Sequence, residues 1–397
     1  MTHDHRSERT GPAGKQALPL IFISAAEQSA DSHGAALIRA TLARRPGARF
    51  VGVAGPKMVA AGCDRIFDMT PHAAMLLSAV NAAFRGVRML QTSERHLRRY
   101  PFDAAVVIDS PTLHLPLAAR AHAAGVPVMY YIAPQMWAWG GHRIHKLRNN
   151  VDRLGVILPF EEKFFRDQGV DARFVGHPIA DRHASLSVDE SVVGRIRAVG
   201  SPVVALLPGS RRHVVEAVLP GQLEVARRIA DAMPKASFAV SIANSTVAPE
   251  IERQLAGRGL SISTYADHFA EVICAADLVL VASGTSALEV AFHGRPMIVM
   301  YKASRIFYHA IARWMIRTPQ LSLPNILAGR EVVPEFMPYY TSTAPIAERA
   351  IELLRSPELR DEMTRRLEEI VAPLRERGAS QRAAAMLLDL IDRQAHS

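Results

Sequence analysis

The residues best suited to chemistry lie in one stretch, Asp277-Leu-Val-Leu-Val-Ala-Ser-Gly-Thr-Ser-Ala-Leu-Glu289. Leu278–Ala282 is short, apolar and rich in valine, as a strand of a parallel sheet covered on both faces must be. Ser283-Gly284-Thr285 follows with small side chains, a flexible backbone position and the N–H groups that open a helix. Orphan amides and the helix dipole together favour a phosphate at such a turn. Glu289 lies about one helical turn beyond Thr285 and so faces the same mouth. A carboxylate there cannot favour phosphate, but it can accept both hydroxyls of a ribose. Side by side, these groups point to a nucleotide, and to a nucleotide diphosphate sugar rather than a dinucleotide. Taken alone, the same stretch is equally an ordinary βα turn with a solvated glutamate.

A second turn strengthens the first. Leu206-Leu-Pro-Gly-Ser-Arg211 is a strand, then a tight turn ending in arginine. The planar guanidinium suits phosphate oxygens, and the Gly-Ser backbone can approach them closely. A fixed Arg211 would stabilise the charge on a departing nucleoside diphosphate without rearranging. Standing alone it is a loop arginine as readily as a ligand. Leu321-Ser-Leu-Pro-Asn325-Ile-Leu-Ala-Gly329-Arg330-Glu331 is a loop entering a helix. Asn325 either caps that helix or meets the donor sugar or phosphate.

The elements that must hold these turns alternate between strand and helix. Strand patterns cover Leu20–Ala25, Arg49–Val53, Ala104–Ile108, Val128–Ile132, Leu154–Leu158 and Arg173–Val175. After a break they resume at Val203–Leu207, Ser237–Ile242, Leu278–Ala282 and Met297–Met300. Helical patterns such as Gly34–Arg45, Leu115–Ala124 and Glu161–Gln168 lie between them. This predicts an α/β protein with two doubly wound, Rossmann-like sheets. The divisions expected are a disordered tail at 1–17, a first domain at 18–180, a linker at 181–202, a second domain at 203–356 and C-terminal helices at 357–397. Ligands of such sheets bind at the carboxyl ends of the strands. The ends concerned are Ala26-Glu27-Gln28-Ser29-Ala30-Asp31, Asp109-Ser110-Pro111, Ala133-Pro134-Gln135, Pro208–Arg211 and Ser283–Thr285.

Bulk properties narrow the class. A chain of 397 residues, 49% hydrophobic and 21% charged, has a globular composition and is too long for one ordinary core. Its formal net charge of +9 favours anionic partners: phosphorylated substrates, anionic lipid surfaces or nucleic acid. No nucleic-acid-binding motif appears, and aromatic residues do not alternate with basic ones, so nucleic acid is the weakest of the three. Cys63 and Cys274 stand far apart and suggest neither a disulfide framework nor a metal site, which fits a reducing cytoplasm. No window approaches the roughly 18 uninterrupted apolar residues of a membrane span, so any membrane contact is peripheral.

Taken together, Leu206–Arg211, Ala282–Glu289 and Ser322–Glu331 resemble the lipid-A-disaccharide synthase family, glycosyltransferases of GT-B fold. Arg49–Pro56, Pro134–Trp139, Leu158–Glu161 and Phe174–His177 carry the same resemblance, which spans roughly residues 18 to 390. It implies two domains facing across a cleft, with the C-terminal helices packing back on the N-terminal one. It implies an inverting transfer joining UDP-2,3-diacylglucosamine to 2,3-diacylglucosamine 1-phosphate through a β-1,6 bond, with release of UDP. It further implies no metal or other cofactor, a homodimer in some members, and work at the inner face of the cytoplasmic membrane. Matched residue by residue, Asp109 would be the general base, able to take the proton of the acceptor 6-hydroxyl. Arg211, Ser283, Gly284, Thr285, Glu289 and Asn325 would bind the donor, and Glu27, Ser29 and Asp31 would lie on the acceptor side.

Departures from the family's pattern all fall in the first half. Its Gly-Glu-x-Ser-Gly-Asp segment carries Ala26 and Ala30 here, stiffening the loop and adding methyl groups. Ser110-Pro111-Thr112-Leu113-His114 follows Asp109 where the family has a second Asp. Met75-Leu-Leu-Ser-Ala-Val-Asn81 lacks the carboxylate of the family's Met-Gly-x-x-Glu-Val. The acceptor could therefore differ. The alternatives are another UDP-GlcNAc-type transferase, a 2-epimerase on the same fold, or a paralogue that only binds ligand.

Two basic amphipathic segments bear on membrane contact. In 304–317, Arg305, His309, Arg313 and Arg317 recur every four residues, with Phe307 and Trp314 on the other sides. In 75–99, Leu76, Leu77, Val80, Phe84 and Val87 accompany Arg85, Arg88, Arg95, Arg98 and Arg99. Basic amphipathic helices lie in the interface of anionic membranes. Either helix alone is more readily one packed on its own domain with a solvated basic face, whereas a diacylated substrate tilts the pair towards lipid docking.

Overall fold

The computed structural model describes residues 18–69, 79–138, 140–257, 259–302 and 320–394. Among them, seven parallel strands make the first sheet: β1 (Leu20–Ala25), β2 (Arg49–Val53), β3 (Cys63–Phe67), β4 (Ala104–Ile108), β5 (Val128–Tyr131), β6 (Arg153–Val156) and β7 (Ala172–Phe174). Their order is β3-β2-β1-β4-β5-β6-β7. The second sheet comprises β8 (Val203–Leu207), β9 (Ser237–Ile242), β10 (Ile262–Ala266), β11 (Leu278–Ala282), β12 (Met297–Met300) and β13 (Glu335–Phe336), in the order β10-β9-β8-β11-β12-β13. Each sheet reverses its winding beside its first strand, where doubly wound sheets open a crevice for ligands.

The central strands follow directly from composition. β1, β4, β8 and β11 are apolar runs whose residues are almost wholly buried, because helices cover both faces. One face of the first sheet carries Ile21, Ile23, Val106 and Met129, the other Phe22, Ala105, Val107 and Tyr130. Three strands, β3, β10 and β13, escape the sequence patterning. All lie at or beside a sheet edge, where Cys63-Asp-Arg-Ile-Phe67 and Ile262-Ser-Thr-Tyr-Ala266 are half solvated and need no apolar run.

The chain forms two compact units, Met1–Asp181 with Glu376–Ser397, and Arg182–Arg375. Two expectations change here. The polar stretch expected as a linker folds as helices Pro178–Ser185 and Glu190–Arg197, and from Arg182 it belongs to the second unit. Val192, Val193 and Ile196 form a buried stripe on the second helix, and the Glu271 carboxylate accepts from the Asp189 N–H (3.0 Å). Polarity there marked a short amphipathic helix. At the other end, helix Pro357–Val371 stays with the second unit through buried Met363, Leu367 and Val371. The last helix, Ala379–Gln394, is the one that returns to the first unit. It packs along helix Gln28–Arg44, where Asp392 takes both guanidinium nitrogens of Arg45 (2.9 and 3.0 Å).

Candidate active site

In the first unit, Ala25 pairs with Ile108, and Ile108 with Tyr131, so β1, β4 and β5 end level with one another. Asp109 follows at once. Its φ is +54°, that of Ser110 is +47°, and Ile132, just past β5, has φ +64°. None is glycine, and each such conformation costs of order 1–3 kcal/mol, so surrounding bonds must impose it. They do. The Asp109 N–H donates to the Tyr131 carbonyl (3.1 Å) and the Ile132 N–H to that of Gly155 (2.9 Å). The Asp109 carbonyl accepts from the Tyr130 hydroxyl (2.6 Å) and from His114 Nδ1 (2.8 Å). Burial pushes the His114 pKa down to about 4, leaving the ring neutral, and holds the Tyr130 phenol well above its usual range, so it stays a donor. Pro111 then opens helix Pro111–Ala123 with its φ already set. Such backbone outliers cluster at active sites, so the turn at Asp109 is a candidate functional position.

The acceptor-side residues separate. Helix Gln28–Arg44 begins directly after Glu27, so Ser29 and Asp31 stand in its first turn rather than in a loop. Glu27 and Ser29 are exposed at the end of β1. Asp31 is buried and its oxygens accept from the Lys57 and Met58 N–H groups, both at 3.0 Å. Asp31 therefore caps helix Pro56–Ala60, a structural part that the sequence did not show. Beyond β5 and β6, buried Glu161 joins two segments that carry the family resemblance. It accepts from Trp137 Nε1 (2.9 Å) and from the N–H groups of Ile157 (3.2 Å) and Leu158 (3.0 Å). Burial pushes its pKa up to about 7 against the pull of those bonds.

In the second unit, Leu207 pairs with Val281, so the two donor-side turns leave the sheet side by side. Gly209 (φ +109°) and Gly284 (φ +144°) take backbone conformations that side-chain-bearing residues rarely adopt. Buried Gln222, on helix Arg212–Ala232, ties both strands together by donating to the carbonyls of Leu280 (2.9 Å) and Leu207 (3.4 Å). Asn244, beyond β9, donates to the Ser210 carbonyl (3.0 Å). Arg211 is exposed at the head of helix Arg212–Ala232; Gly284 and Thr285 are exposed at the head of helix Thr285–Phe292, with Ser283 half-buried. The structure thus brings Arg211, Ser283, Gly284 and Thr285 to neighbouring strand ends. Glu289 lies on the same helix, its carboxylate paired with Arg182. Burial raises the Glu289 pKa, and Arg182 opposes the rise.

Asn325 takes a different part from the one expected. It is fully buried and its amide is spoken for: Nδ2 donates to the Val333 carbonyl (2.9 Å) and to Glu335 (2.9 Å), and Oδ1 accepts from the Val332 (2.7 Å) and Val333 (3.0 Å) N–H groups. Glu335 in turn accepts from the Leu321 and Ser322 N–H groups, both at 3.0 Å. Asn325 therefore pins the loop before β13 and has no amide group left for a donor. Asn325→Ala should lower the free energy of unfolding by about 2–4 kcal/mol, since buried donors and acceptors are orphaned together. Urea unfolding checks this; an unchanged midpoint would refute the scaffold role. Among the described residues, no group of three or more His, Cys, Asp or Glu could hold a metal ion.

Two doubly wound parallel sheets, each with turns for ligands at its strand ends, define a GT-B fold. Solved structures agree: MurG of Acinetobacter baumannii superposes with a TM-score of 0.57 at 12% identity, covering 94% of this chain and 99% of that one. The UDP-GlcNAc 2-epimerase of Neisseria meningitidis, solved with UDP-GlcNAc, gives a TM-score of 0.60 at 10% identity, covering 95% and 100%. At such identities the likeness concerns the fold. In sequence, the family model for lipid-A-disaccharide synthetase matches residues 21–388. The lipid-A-disaccharide synthase of Myxococcus xanthus is 36% identical over 378 residues, 94% of this chain and 98% of that protein. The chain belongs to the lipid-A-disaccharide synthase family, and is a glycosyltransferase of lipid A biosynthesis.

Proposed function

We propose that the chain condenses UDP-2,3-diacylglucosamine with 2,3-diacylglucosamine 1-phosphate, forming the β-1,6 disaccharide 1-phosphate and UDP with inversion. The observation that carries this reading is the strained, doubly anchored Asp109 at the end of β4. The acceptor 6-oxygen attacks the anomeric carbon, Asp109 takes its proton, and the bond to the diphosphate breaks with its electron pair going to UDP. Arg211 and the amides at Ser283–Thr285 receive the developing charge, and Glu289 accepts the ribose hydroxyls. The epimerase neighbour binds UDP-GlcNAc, which supports a UDP-sugar on the donor side. Comparing UDP-2,3-diacylglucosamine with UDP-GlcNAc as donor tests the proposal. Strong preference for the acylated donor is expected, and equal use of both would refute it.

Lipid contact follows from the same substrates. Helix Ala79–Arg99 leaves Phe84 (69% exposed) and Val87 (52%) in solvent beside exposed Arg88, while Met89, Ser93 and Leu97 are buried. Arg85, expected to face lipid, is half-buried and donates to the Asp68 carbonyl (2.9 Å), so it secures the helix to its own unit. Phe307, Arg313 and Trp314 lie outside the described residues. Among the described residues, no helix is long and apolar enough to cross a membrane. Phe84→Glu with Val87→Glu should weaken binding to phosphatidylglycerol-containing vesicles about tenfold or more, because each apolar side chain contributes about 1.5–3 kcal/mol on burial. Vesicle sedimentation unchanged by the pair would remove this helix from the membrane.

A further inference from the structure

Fully buried His114 takes no proton in the chemistry above, yet its ring joins two strands where they end. Nδ1 lies 2.8 Å from the carbonyl oxygen of Asp109, after β4, and Nε2 lies 2.9 Å from the Ser24 hydroxyl on β1. A carbonyl oxygen can only accept, so Nδ1 carries the hydrogen and Nε2 accepts from Ser24. That bond fixes the tautomer which grips Asp109. Tyr130, on β5, donates to the same carbonyl at 2.6 Å. Neighbouring Ser110, also left-handed, gives the turn no side-chain support, since its hydroxyl oxygen is buried without a hydrogen-bond partner. The Asp109 carbonyl, with two donors, is thus the side-chain anchor of the left-handed pair, beside the backbone bonds from the Asp109 N–H to the Tyr131 carbonyl (3.1 Å) and from the Leu113 and His114 N–H groups to the Ser110 carbonyl (3.1 and 3.0 Å).

We propose that His114 is a positioning residue for transfer: by gripping the Asp109 carbonyl, it fixes the left-handed turn that aims the Asp109 carboxylate. This rests on the reading of Asp109 as the base. Without the grip, Asp109 and Ser110 relax towards commoner backbone conformations and the carboxylate shifts with them. Displacements of about 1 Å at a reacting group cost on the order of 10²-fold in rate.

Two substitutions test the role. His114→Phe keeps the ring's bulk and removes both bonds. His114→Asn places an amide N–H where Nδ1 stands and keeps the grip alone. The first should lower kcat about tenfold to hundredfold, leaving KM for both substrates unchanged, and the second should recover most of the loss. Wild-type kcat in His114→Phe, no recovery in His114→Asn, or a loss confined to KM would overturn the proposal. Asp109→Asn is assayed alongside. If it is inactive while His114→Phe runs at full rate, only the positioning role fails; if it turns over normally, the reading of Asp109 fails first and takes the positioning role with it. Should His114→Phe not fold, Tyr130→Phe removes the other donor to the same carbonyl, and a lowered kcat with unchanged KM is again expected. Unchanged kcat there would overturn the grip.

Discussion

Asp109→Asn should lower kcat about 10²–10⁴-fold, the usual contribution of a general base, while UDP binds as before. The substitution keeps the shape of the side chain and removes its ability to take a proton. The bonds to the backbone carbonyl and amide of Asp109 that hold the left-handed turn are not removed by the substitution. Donor binding is expected to stay intact because the residues proposed to bind UDP belong to the other unit, on the second sheet. Steady-state kinetics with a UDP titration separates the two effects. Wild-type turnover would remove Asp109 from the mechanism, and a parallel loss of UDP affinity would show that the turn had collapsed.

Glu289→Ala should raise the Kd for UDP about tenfold to a hundredfold, because hydrogen bonds to a charged acceptor contribute about 1.5–3 kcal/mol each. The free carboxylate already has a partner in Arg182, so the ribose must share it or take its place. A half-cycle with 2′-deoxy-UDP isolates the contact. Wild-type protein should bind the deoxy ligand more weakly than UDP, whereas Glu289→Ala should not distinguish them. Equal affinity of wild type for both ligands, or an unchanged Kd in the variant, would sink the ribose assignment.

How far the sequence revealed this protein depended on burial. The central strands declared themselves because helices on both faces demand unbroken apolar runs, and β1, β2, β4, β8, β9, β11 and β12 fall where the patterning placed them. Three of the four edge strands did not, since β3 and β10 are half solvated and β13 is two residues long; the fourth, β7, lies one residue from where it was read. Turn chemistry was equally legible where local backbone requirements dictate residue type: the positive φ of Gly209 and Gly284 sits where the phosphate turns were read. Polar residues whose partners lie far along the chain were not. Asp31 caps a helix some 26 residues away and Gln222 ties strands 15 and 58 residues away. Asn325 spends its amide on the backbone of Val332 and Val333 and on Glu335. Spacing cannot show such bonds, so a buried asparagine and a ligand-binding one look alike in sequence. His114 was missed as well: in sequence it only ends the stretch that lacks the family's second Asp, whereas in the fold its ring hydrogen-bonds the Asp109 carbonyl.

The central claim is that the chain passes an acylated glucosamine from UDP to an acylated glucosamine phosphate, although its first half departs from the family's pattern. Incubation of the full chain with UDP-2,3-diacylglucosamine and 2,3-diacylglucosamine 1-phosphate, followed by mass spectrometry and UDP quantification, tests it most directly. The account expects tetraacylated disaccharide 1-phosphate and UDP in equal amounts. UDP release without disaccharide, or binding of donor with no release of UDP, would contradict it.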